Sequence, residues 1–146
     1  MKHYGCTFEC GDERDDDFMR AYCKQIEGRA VVVLSDVFRS LVDMPSKRFW
    51  VSEERAAIVV SDMMRGATLE RMRPQKRAMF QEIYRRTVAM LGEHPDMALS
   101  VAVARVVRSP APRFYLTPQS ARIIFYRIKN KWYEKEMRKL RIPHSH

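Results

Sequence analysis

Arg48-Phe49-Trp50-Val51-Ser52 and Arg113-Phe114-Tyr115-Leu116-Thr117 match in residue type, position by position, at a spacing of 65. The match extends outward without a gap. Leu34-Ser35 falls on Leu99-Ser100, Val42 on Val107, Pro45 on Pro110, Ala56 on Ala121 and Ile58 on Ile123. Eight of the 25 positions in 34–58 are identical to their counterparts in 99–123. Trp50/Tyr115, Val51/Leu116, Ser52/Thr117 and Val59/Ile124 are conservative pairs. Self-similarity at one fixed offset marks a repeated structural unit, and tandem duplication is its simplest account.

Each copy helps to read the other. Ser52 stands before Glu53 and Glu54, a good N-cap followed by charges that suit a helix N-terminus. Thr117 stands before Pro118, a favoured first helical residue. Apolar residues then recur at helical spacing: Ala56, Val59, Val60 and Met63 in one copy, Ala121, Ile124, Phe125 and Ile128 in the other. The first of these helices is expected to stop near Gly66; the second runs past Trp132 to about Leu140, before Pro143. Before each shared proline, the stripes Val33, Val37, Leu41, Val42 and Leu99, Val103, Val106, Val107 also read as helix. Ala30-Val31-Val32-Val33-Leu34 alone could be a strand, but its counterpart Pro95-Asp96-Met97-Ala98-Leu99 looks like a helix start and decides for helix. One more helix lies upstream in each copy, at about 14–27 and 74–91; the latter carries Met79, Phe80, Ile83, Val88 and Leu91. The segments after the prolines are aromatic and β-branched, so two short extended pieces are expected, with Phe49 and Phe114 turned inward as packing anchors.

The predicted fold is therefore all-α, a tandem duplication of a three-helix unit with about six helices. The expected organisation is an acidic, flexible N-terminus (1–13), a first helical unit (14–66), a second with a long basic helix (67–140) and a short tail (141–146). A hydrophobic fraction of 46% in 146 residues suffices for a core. The longest apolar run, Ala30 to Leu34, is far too short for a bilayer span of about 20 residues. No apolar signal region follows Met1, and three cysteines in an odd count fit a reducing, cytosolic compartment. His3, Cys6 and Cys10 lie close together, but their spacing matches no common zinc pattern; no metal and no cofactor is assigned.

The net charge of +9 is unevenly placed. Residues 105–146 hold eleven Lys/Arg against Glu134 and Glu136, while residues 1–104 balance at sixteen of each sign. The first seventeen residues are acidic, and Asp15-Asp16-Asp17 suits a helix N-terminus. Such asymmetry points to a polyanionic partner for the basic end. On the last helix Arg127, Lys131, Lys135 and Arg138 follow at helical spacing, beside Asn130, and are expected to lie away from the apolar stripe. Arg127 stands where the first copy has Asp62, and Lys131 where it has Gly66. The candidate nucleic-acid contacts are Arg113, Arg122, Arg127, Lys129, Asn130, Lys131, Lys135, Arg138 and Lys139.

No Gly-rich phosphate loop, zinc-protease motif or nucleophile elbow is present, and His94 stands alone, so no enzyme is expected. The segment 97–140, helix–connection–basic helix, loosely resembles the helix-turn-helix family, although Ser109–Leu116 is longer than that family's turn. The chain as a whole resembles small basic proteins of bacterial mobile elements and prophages. The charge placement, with the helix-turn-helix resemblance beside it, leads to the expectation of a DNA-binding accessory or regulatory protein, with RNA as the less favoured ligand; the mobile-element resemblance implies no activity. The rival reading is a protein–protein adaptor or structural protein whose basic helix meets an acidic partner, or that self-associates.

Overall fold

A computed structural model describes residues 12–141. Among these, six helices and no strand are found, so the all-α expectation holds. The expected flexible N-terminus falls mostly outside the described residues, as do His3, Cys6, Cys10 and nearly all of the tail. The helices are α1 Glu13–Ile26, α2 Leu34–Leu41, α3 Glu53–Met64, α4 Pro74–Glu93, α5 Leu99–Arg108 and α6 Pro118–Arg141. The starts of α2 and α5, and those of α3 and α6, are both 65 residues apart.

The helices pack as two compact units, and these cut across the sequence copies. One unit gathers α1 and α2 from the first half with α6 from the second; the other spans Asp43–Leu116 and gathers α3, α4 and α5. Thus the third helix of each copy packs against the first two helices of the other. The expected halves, 14–66 and 67–140, differ from this grouping in space. Each unit still buries three apolar faces, which is what an amphipathic helix requires.

In the first unit, Asp12 caps α1 by accepting hydrogen bonds from the Arg14 and Asp15 backbone N–H groups at 2.9 and 3.2 Å. Phe18, Tyr22 and Ile26 recur every fourth residue and are buried with Met19. α2 contributes Val37, Phe38 and Leu41; α6 contributes Ala121, Ile124, Phe125 and Ile128. Phe125 ties the three helices together, its ring 4.6 Å from Tyr22 and 5.5 Å from Phe38 between centroids. The Ala30–Val33 run does not join α2. Val33 is the N-cap with an extended backbone, and Val31 and Val33 are exposed. Pro95–Ala98 likewise lies outside α5. At Ala30–Val33 the exposed β-branched side chains gain no burial to offset their lower helix propensity.

In the second unit, Ser52 Oγ accepts from the Arg55 N–H at 3.1 Å to cap α3, and Gly66 ends it at φ +97°. The core is Phe49, Val60, Phe80, Ile83, Val103, Val106 and Val107. Val88, expected to be inward, is exposed, and Thr87 takes the buried place one residue earlier. The two post-proline segments meet in an isolated antiparallel bridge. Ser46 and Ala111, equivalent at the 65-residue offset, exchange both backbone hydrogen bonds at 3.1 Å. The Phe49 N–H donates to the Val107 carbonyl at 3.0 Å, and Phe49 and Phe114 are both buried. The two segments are not identical in backbone: Tyr115 has φ +57°, whereas its counterpart Trp50 is not in the left-handed region. The backbones of the two segments therefore part at that pair.

Arg86 locks the Phe49 corner. Its guanidinium lies 5.1 Å over the Phe49 ring and donates to the Pro110 carbonyl at 2.9 Å. Glu82 holds Arg85 and Arg86 at 2.6 and 2.7 Å. The Arg85 hydrogen bond, and after it that from Arg86, hold the Glu82 carboxyl below the usual carboxylate range against a partial burial that pushes it up. A lowered folded-state value means that this stabilisation is present at neutral pH and is lost as pH falls through that value. Glu82→Gln is therefore expected to lower the melting temperature at neutral pH and to leave it nearly unchanged at strongly acid pH. Melting curves across that range check the difference.

Candidate nucleic-acid interface

α6 is 24 residues long, and among the described residues those it buries, Ala121, Ile124, Phe125 and Ile128, all lie in its first half. Thr117 Oγ1 accepts from the Ser120 N–H at 3.1 Å and Pro118 opens the first turn, so the helix starts on local signals. Nothing in its sequence stops it before Arg141; after Trp132 the inward apolar residues give way to charged ones.

Lys131, Lys135 and Arg138 do not lie on a separate face, as expected from their spacing. Lys131 is seven residues from Ile124 and Lys135 seven from Ile128, so both continue the line of the buried stripe beyond the point where it is covered. With Ile128, Trp132, Glu134 and Asp15 they line a groove of about 420 Å³ within this unit. The lining joins the apolar Ile128 and Trp132 to three cations and two acids. Lys131, Lys135 and Arg138 are exposed.

Arg127 is not a free member of that set. Its Nη2 donates to Asp15 Oδ1 at 2.6 Å, across 112 residues of chain, with the Asp15 side chain only 8% exposed. The pair fastens α1 to α6. Asp15 thus does more than complement the helix dipole, and Asp17, fully buried, holds Arg20 at 2.6 Å. Asp15→Asn keeps the shape but removes the charge that holds Arg127. Because Arg127 is 46% exposed, the expected loss is only about 1 kcal/mol, checked by urea denaturation.

The remaining predicted contacts divide by position. Arg122 lies over the Tyr126 ring at 5.7 Å and borders a shallow groove with Phe38 and Arg39 near the start of α6. Lys129 approaches the Phe125 ring at 6.0 Å, Asn130 is exposed, and Lys139 pairs with Glu136 at 3.3 Å. Arg113 belongs to the other unit. It pairs with Asp43 at 3.2 Å and lies 5.8 Å over the Tyr115 ring, a packing role. The groove's Asp15, Ile128 and Trp132 are not among the residues expected from the sequence; their approach depends on how α1 packs on α6. Among the described residues no group of acids, histidines and cysteines could hold a metal ion, and no helix is long and apolar enough to cross a membrane.

No family model, curated protein or solved structure matches this chain at a level that carries a comparison.

Proposed function

We propose that this chain is a nucleic-acid-binding accessory or regulatory protein without catalytic activity, DNA being the favoured ligand. The observation that carries the reading is the second half of α6, in which no described residue is buried. There Lys131, Lys135 and Arg138 stand exposed along one groove, on a helix with eight Lys/Arg and two acids. Cations held on a rigid helix meet a phosphate backbone at no cost in ordering the chain, and release its condensed counterions. Lys139 adds to the same end, while Arg127 and Arg113 serve mainly to hold the fold.

The test is an electrophoretic shift titration with random duplex at two salt concentrations, with single-stranded DNA and structured RNA as competitors. Binding that weakens steeply with salt, and that duplex DNA competes best, supports the reading. Ile128 and Trp132 in the groove's lining favour one alternative: an adaptor that takes an acidic segment bearing an apolar side chain. Absence of any nucleic-acid shift at physiological salt would select that alternative.

A further inference from the structure

α6 carries a second apolar line, on the side away from its packed face. Ile123, Tyr126, Asn130, Tyr133, Met137 and Leu140 follow one another at steps of three, four, three, four and three residues. That alternation is the a/d seam of a coiled coil. The opposite side of the same helix holds Ala121, Ile124 and Ile128 in the core, so the seam points outward. Ile123 is 62% exposed, Tyr133 60% and Leu140 66%, and Asn130 is exposed between them. In the first copy the equivalent line on α3 reads Ile58, Ser61, Arg65 and then ends, so the seam is peculiar to α6.

We propose that this seam joins two copies of the chain by antiparallel pairing of α6 with its counterpart. The occupant is identified by the charges that flank the seam. Arg127 and Glu134 follow the d positions on one side; Arg122, Lys129 and Glu136 precede the a positions on the other. Set the two-fold axis between Asn130 and Tyr133. Ile123 then meets the partner's Leu140, Tyr126 meets the partner's Met137 and Asn130 meets the partner's Tyr133, with no seam residue left over. In that register Arg127 faces the partner's Glu134 and Lys129 faces the partner's Glu136, each twice by symmetry. The only two acids on α6 are thus both matched to cations. A parallel, in-register pair would also set Lys129 against the partner's Glu134, but it would oppose Arg122 to the partner's Arg127, a repulsion that the antiparallel register avoids. The Asn130–Tyr133 layer offers amide to phenol hydroxyl, a polar contact that favours this register over a slipped one.

Existing contacts leave room for this. Arg127 is 46% exposed and has five N–H donors, so holding Asp15 does not exhaust it. The Glu136 pair with Lys139 is a solvent-exposed contact at 3.3 Å and is worth little by itself. The pairing is independent of the nucleic-acid reading and is measured without nucleic acid.

The test is sedimentation equilibrium of the full chain and two variants over a wide concentration range, with circular dichroism to confirm folding. The parent is expected to dimerise. Lys129→Glu turns two attractive pairs into repulsive ones and is expected to weaken the dimer by about tenfold or more. Adding Glu136→Lys to that variant restores both pairs and is expected to return the parent's dimerisation. In a parallel dimer the same double change would set like charges against Glu134 and Arg141, and would weaken association further. A parent that stays monomeric, a Lys129→Glu variant that dimerises like the parent, or a double variant weaker than the single one would each overturn the proposal.

Discussion

Phe49→Ala is expected to cost about 3–5 kcal/mol, the usual range for deleting a buried phenyl ring. Phe49 is 1% exposed and belongs to the core that its unit builds from α3, α4 and α5. Tyr115 stacks on it at 6.0 Å, Arg86 covers its face, and its backbone N–H holds the end of α5. Removing the ring leaves a cavity and strips Arg86 of its platform, so the loss exceeds the transfer energy of the ring alone. A total stability of about 5–15 kcal/mol makes such a loss plain in a urea or thermal melt. Phe114→Ala, at its equivalent buried position, is expected to act in the same direction. A Phe114→Ala protein that melts like the parent yet loses its ligand would instead make that ring a binding residue.

The triple change Lys131→Gln, Lys135→Gln, Arg138→Gln is expected to reduce the salt dependence of duplex binding by roughly 2.7 in log–log slope, about 0.9 for each phosphate no longer neutralised. Affinity at low salt should fall steeply, while the melting temperature should stay near the parent's, since all three side chains are exposed and Gln is nearly as good a helix former. Arg127 is left out because its bond to Asp15 would mix a folding effect with a binding effect. A folded triple variant with unchanged affinity would remove this half of α6 from the binding surface.

Local signals are legible in the chain because they depend on a few neighbouring residues. Ser52 and Thr117 each bind the N–H three residues on, and that spacing marks the starts of α3 and α6. The stripes Ala56, Val59, Val60 and Ala121, Ile124, Phe125, Ile128 are buried as their spacing requires. Boundaries that depend on what lies opposite are less legible. Analogy with the other copy draws Ala30–Val33 into α2, but no packed face waits there. Val88 and Thr87 differ by about 100° around α4, and only the position of its neighbours decides which goes inside. The spacing of Arg127, Lys131, Lys135 and Arg138 is a fact of the sequence. Their separation from the apolar stripe is not, because the azimuths of the two sets overlap.

By itself the sequence determined six helices, their order, the caps that start α3 and α6, the buried stripes of those two helices and the concentration of charge on the last one. All of these follow from periodicity and from hydrogen bonds spanning three or four residues. Tertiary structure alone decided which helices share a core. Either third helix, α3 or α6, presents nearly the same apolar stripe, so periodicity cannot say whether it packs on its own copy or on the other. The structure pairs α6 with α1 and α2, and that choice brings Asp15 to Arg127 across 112 residues. The same choice covers α6 only as far as Trp132. Beyond it no described residue of the helix is buried, and there the cations that continue the core stripe become a surface.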